Sequence, residues 1–165
     1  MPLLDSLYCQ TITLFNRVSR RGEPTMWIPT VIKGVHLVAR KSSSWSNNGG
    51  KSVNDVTLHI RFQNDGDKIL VKCGKEGQTY KQWCEPRAWK KLDGAEGFIT
   101  FSHGNNDNFD FFIEGEFTEF PYPISDENFG FSGFYAYMLE NYDNVFAIKA
   151  ANKFTVIPHF EILAG

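Results

Sequence analysis

Apolar and polar residues alternate along most of this chain in short runs set apart by turn-forming residues, a period of two that predicts strands. In residues 9–18, Thr11, Thr13 and Phe15 fall on one side and Ile12, Leu14 and Asn16 on the other. Residues 17–24 form a basic, glycine-marked turn. Residues 25–32 predict a second strand, broken at Pro29, with Gly34 permitting a kink before residues 35–38 continue. These two strands are expected to pair as a hairpin. The clearest alternation is in residues 55–62, with Val56, Leu58, Ile60 and Phe62 opposed to Thr57, His59 and Arg61. A turn at Asn64, Asp65 and Gly66 then leads into a return strand over 67–72. Glycines at 74 and 77 mark another turn. Further strands are expected over 80–84, 98–101 and 109–117, the last with Asp110, Glu114 and Glu116 on the face of Phe112.

The period changes to helical in two places. Pro86 opens one or two turns over 87–92. Near the C-terminus, Phe134, Tyr137, Met138 and Tyr142 share a helical face, after a Ser125 cap with Asp126 and Glu127 in the first turn. A closing hairpin follows: a strand over 145–149, a turn at 151–153, a return over 154–157, Pro158 at an edge or bulge, and 159–162 resuming. The fold expected is mainly β: one domain over 1–165, a small β-barrel or sandwich with one principal helix near the C-terminus, or an α+β arrangement as the alternative.

One stretch escapes the pattern. Residues 40–54 (RKSSSWSNNGGKSVN) bury little and read as a long flexible loop. Its ends, Arg40 and Asp55, belong to strands expected to pair, so the loop should project as a hairpin tip. Trp45 either folds back onto the body or is held for a partner.

Composition changes this picture little, and charge changes it more. Aromatics make up 15% of the chain, which suits strands and tight packing. No apolar run is long enough for a membrane span and no leader-like apolar segment follows Met1, so a soluble cytosolic product is expected. Cys9, Cys73 and Cys84 are odd in number and lack CxxC spacing, which favours reduced thiols over a disulfide framework. The net charge of −2 hides a division: residues 1–91 carry 15 Lys and Arg against 7 Asp and Glu, and residues 92–165 carry 2 against 12. Such asymmetry bears on association more than on fold.

Candidate chemistry is sparse. His36, His59, His103 and His159 stand at no metal-ligand spacing. Asn105, Asn106, Asp107, Asn108 and Asp110 offer oxygens but lack the glycine and distal glutamate of a calcium loop. Glu114 and Glu116 share a strand face, which suits an acid–base pair or plain solvation. There is no P-loop, GxGxxG or GxSxG. Trp27, Trp83 and Trp89 lie among Lys and Arg, as in nucleic-acid grooves, without a recognised module. Trp45, Trp83 and Trp89 on one exposed face would instead make a carbohydrate-binding β-sandwich.

The order of segments resembles a known family. Thr11–Asn16 is followed by Trp27-Ile28-Pro29-Thr30-Val31-Ile32-Lys33-Gly34-Val35, then Ile113-Glu114-Gly115-Glu116, an aromatic helix, and Val156-Ile157-Pro158-His159-Phe160-Glu161-Ile162. In this order the chain resembles the head-closure (stopper) proteins of the tailed-phage head–tail junction, minor capsid or neck proteins. The resemblance implies a non-enzymatic β-barrel subunit without a cofactor. Copies would form a ring, six-fold or twelve-fold, between portal or adaptor and the tail terminator or tail tube. Double-stranded DNA would pass through without sequence-specific contacts. The subunit would act in the virion neck, and in the host cytoplasm during assembly. The resemblance further implies a channel loop, for which Arg40, Lys41, Ser43, Trp45, Asn47, Asn48, Gly49, Gly50 and Lys51 are the candidates. The charge division suggests subunit contacts through Arg20 and Arg21 on one edge and Glu114, Glu116 and Glu119 on the other.

Overall fold

A single long strand, β2 (Met26–Ser44), organises the molecule. The computed structural model describes residues 6–44, 51–93, 95–104, 109–120 and 122–165, and at 40–44 and 51–54 it describes the backbone alone. The first half of β2 pairs antiparallel with β1 (Gln10–Val18), from Met26 opposite Val18 to Val35 opposite Gln10. Its second half pairs with β3 (Lys51–Arg61), from His36 opposite His59 to Ser44 opposite Lys51. The handover falls at Gly34, which the ladder skips: Thr11 faces Lys33 and Gln10 faces Val35. Gly34 has φ +70°. That left-handed conformation costs a residue with a side chain about 1–2 kcal/mol, so glycine lets the strand bulge and swing to a new neighbour.

The kink expected at Gly34 and the β1–β2 hairpin are both present. Pro29 does not break the strand; it sits in the ladder opposite Phe15.

Three more strands complete a circuit. β8 (Phe111–Glu114) pairs with β1, β10 (Val145–Phe154) with β8, and β11 (His159–Ala164) with both β10 and β3. Because β1 also pairs with β2, six strands close as a barrel in the order β1-β8-β10-β11-β3-β2, and short β9 (Ile124–Ser125) adds to β2. The mainly β, barrel-like expectation is met. Alternation turns Ile12, Leu14, Leu58, Ile60, Phe112 and Ile162 into the barrel core.

A second sheet, β4 (Gln63–Asp65), β5 (Lys68–Cys73), β6 (Thr79–Trp83) and β7 (Phe98–Ile99), extends the same core. It is fastened to β2 by Gly74 N–H donating to Val31 O at 2.8 Å and Lys81 Nζ donating to Thr30 Oγ1 at 2.7 Å. The helix α1 (Pro86–Trp89) starts at its proline as expected and buries Trp89 with Ile28 and Ala95.

The opposite face of β1 and β8 is covered by α2 (Gly133–Asn141). Phe15 meets Phe111 at 4.8 Å and Phe134 at 5.2 Å between ring centroids. Truncating such a ring costs about 3–5 kcal/mol.

The structure corrects several expectations. Ser125 does not cap α2; it precedes a 3₁₀ turn, Asp126–Phe129, and makes no side-chain cap. Asp126 does the fastening, accepting Phe134 N–H at 3.0 Å and Trp27 Nε1–H at 2.8 Å. The C-terminal hairpin does not turn at 151–153, because β10 runs to Phe154 and the turn is at 155–158. The strand expected over 109–117 is only Phe111–Glu114. Asp110 is not on a solvated acidic face but 1% exposed. Its carboxylate accepts Arg17 N–H at 2.8 Å and Ser102 N–H at 2.7 Å, joining β1 to the segment before β8. The run 105–108 lies outside the described residues.

Burial pushes the Asp110 carboxyl up to about 7 from an ordinary 3.8, against the pull of the Arg17 and Ser102 donors. Between those two values the folded chain holds a proton that the unfolded chain has released, so this group's contribution to stability is full below the lower value and is lost as pH rises. Asp110→Asn should remove that fall in the urea midpoint between about pH 4 and 7. It should also lower stability throughout by about 1–3 kcal/mol, because its amide N–H meets a backbone donor. An unchanged pH slope would contradict this account.

Candidate functional site

The part of the molecule that leaves the barrel is the β2–β3 hairpin. The last pairing of β11 with β3 is Ala164 opposite Val56. Beyond it β2 and β3 continue together through five more pairs, Arg40–Asp55, Lys41–Asn54, Ser42–Val53, Ser43–Ser52 and Ser44–Lys51. At about 3.4 Å per residue these form an arm of roughly 17 Å. The pairing of Arg40 with Asp55 is as the sequence suggested. The loop expected over 40–54 is shorter than that, because Arg40, Lys41, Ser43 and Lys51 lie on paired strand backbone. Trp45, Asn47, Asn48, Gly49 and Gly50 lie outside the described residues. Among the described residues no third strand accompanies the arm. Its base is held by Lys149 Nζ, which donates to Asp55 Oδ1 at 2.9 Å.

Beside the arm's base, the outer faces of β2, β3, β11 and β10 carry a ladder of rings. Tyr8 meets His36 at 6.0 Å, His36 meets His59 at 5.5 Å, His59 meets His159 at 5.7 Å, and His159 stacks on Phe154 at 5.0 Å. The Arg61 guanidinium lies 4.4 Å from the centroid of Tyr8, an attractive cation–π geometry. The sequence showed these histidines as scattered, and only the strand registers bring three of them into one row. Among the described residues no three His, Cys, Asp or Glu side chains group as metal ligands.

Residues 7–165 match the model of a family of unknown function, DUF6751. The chain belongs to that family. No curated protein and no solved structure matches it.

In this DUF6751 chain the charge division of the sequence does not carry over to the barrel strands: β8, β10 and β11 are consecutive and carry Glu114 and Glu161 against Lys149 and Lys153. Arg20 and Arg21 are exposed beyond the end of β1, where Arg20 Nη2 donates to Asp93 O at 2.8 Å. Glu114 and Glu116 lie at the other end of β1, near Thr11, roughly 25 Å away along the strand. Glu116 approaches Lys33 at 4.0 Å. Glu119 accepts the Tyr142 hydroxyl at 2.6 Å, and that bond is the chief cause pushing the phenol up to about 12.

The tryptophans do not share one exposed face. Trp89 is buried and its indole N–H donates to Arg17 O at 2.8 Å. Trp83 is half-buried against Phe160, with Lys153 Nζ 5.2 Å from its ring centroid.

Within the ladder, His59 is held below the ordinary imidazole value. Burial is the main cause, His159 and His36 add to it, and Glu161 opposes it. A lowered value means the folded state resists protonation, so its contribution to stability is lost as pH falls through the unfolded value of about 6.5. An NMR titration of the DUF6751 protein should find the His59 midpoint below about 6.5, and lower still in Glu161→Gln. A midpoint at or above that value would refute the burial argument.

Proposed function

We propose that this protein is a non-catalytic structural subunit of the phage head–tail connector. Copies form a ring, six-fold or twelve-fold, that joins a portal or adaptor to the tail terminator or tail tube and closes the filled head. The arm is the observation that carries this reading. A closed barrel has no open sheet edge to explain, yet here two of its strands continue together past the body. A two-stranded ribbon is marginally stable in water without further support. An arm that extends about 17 Å is therefore best supported by neighbours in an assembly. Its sequence carries Arg40, Lys41 and Lys51 among serines, and such charges both discourage edge-to-edge aggregation and suit contact with DNA phosphate or an acidic neighbour.

The separation of Arg20 and Arg21 from Glu114 and Glu116 along β1 supports the same reading. Subunits that present opposite signs at different places meet in a fixed orientation, and like-signed edges repel. In the ring the arms converge on the axis, where they restrain packaged DNA until the tail is joined or infection begins.

Removing residues 43–50 tests the arm without touching the barrel, since all pairings through Ala39–Val56 remain. The shortened protein should fold and enter particles, while filled heads lose DNA, measured as the packaged DNA per head after purification. Heads that keep their DNA as well as wild type would refute the closing role.

A further inference from the structure

Among the described residues the most exposed large apolar side chain is Phe131, at 110% of its reference area. Its position is built rather than frayed. Gly130 and Gly133 bracket it with φ of +80° and +86°. Asp126 packs against Gly133, with carboxylate atoms 3.1 Å from where a Cβ would lie. The same carboxylate holds Phe134 N–H and the indole of buried Trp27. The loop is thus tied to the core, and an aromatic ring presented by a rigid loop binds with little ordering cost.

A receptor of matching character lies elsewhere on the same chain. Between β2, β3 and the second sheet is a cleft of about 460 Å³. A cavity of about 150 Å³ holds benzene, so this one has room for a phenyl ring and the loop behind it. Leu70 and Tyr80, the latter at 44% exposure, give it apolar surface over the buried Ile32 and Ile60, and Lys72, Arg61 and Lys33 line it with Glu76, Lys33 lying 4.0 Å from Glu116. The segment around Phe131 has the opposite charge: residues 126–143 include Asp126, Glu127, Glu140 and Asp143 and no Lys or Arg.

We infer that Phe131 of one copy seats in the β2–β3 cleft of the next, an acidic aromatic knob in a basic apolar socket. The inference rests on the ring reading above and names the contact that would make the ring. α2 covers β1 and β8, whereas the cleft is lined from β2, β3 and the second sheet and by no residue of 126–143, so knob and socket are separate patches. Used head to tail, such a contact generates a ring when the rotation closes; exchanged reciprocally it would stop at a two-fold dimer, so association of wild type beyond the dimer is the result the ring requires.

Two variants separate the halves. Phe131→Asp destroys the knob and keeps the socket, and Lys72→Glu reverses the socket's charge and keeps the knob. Both sites are exposed, and circular dichroism confirms each fold. By sedimentation equilibrium, wild type should associate with rising concentration, and each variant alone should weaken association by about tenfold or more. Their equimolar mixture should form dimers and stop, because only one intact knob–socket pair exists in it. The contact is overturned if either variant associates like wild type, or if the mixture stays monomeric, including when wild type does so too. A wild type that associates independently of both residues points to a different interface between copies. Loss of DNA from heads carrying the shortened arm would then still uphold the ring reading, so the two can fail separately.

Discussion

Every strand of the barrel depends on one strand having two neighbours in turn. β2 gives its first half to β1 and its second half to β3, and the change of partner requires backbone that only glycine adopts cheaply, at Gly34. Without that bulge the sheet would stay open on one side of β2. With it, β11 can bridge β10 and β3, so the C-terminal hairpin closes the circuit. The same strand then runs on past the closed sheet as the arm. Closure and projection are two consequences of one long strand with a bulge in its middle.

Two carboxylates fix what the barrel alone leaves loose. Asp110 is buried and ties the backbone of β1 to the segment entering β8. Asp126 ties the 3₁₀ turn, the start of α2 and Trp27 into one unit. Each satisfies two donors at a place where no strand partner can reach, which is how irregular segments keep their polar groups paired. The second unit gives the Phe131 loop its fixed pose.

Much of the fold was legible in the sequence. Alternation in residues 9–18 and 55–62 located β1 and β3 and divided each into its two faces, and helical spacing located α2 by Phe134 and Met138. Gly34 announced its kink. What failed depended on contacts distant in sequence. Ser125 has the chemistry of a cap, but Asp126 had a better use pointing back at Gly133. Asp110 shares its face with Phe112, which lies in the barrel core, so alternation pointed inward and only the acidic residue type pointed to solvent. The turn at 155–158 was missed because Ala151, Asn152 and Lys153 look turn-like, whereas pairing with β11 keeps them extended. The histidine row could not be seen, since residue type along one strand says nothing of register with the next. Phe131 lies between Gly130 and Gly133, and two glycines around one aromatic ring are a usable sign of a presented side chain.

The account reads the chain as a ring subunit whose body is the barrel and whose working part is the arm. Electron cryo-microscopy of a phage head–tail junction assembled in cells that express this chain tests that claim most directly. The predicted result is a closed ring of six-stranded barrels in the neck, each sending a two-stranded arm toward the axis. A neck without such barrels, or virions that lack this chain, would contradict it.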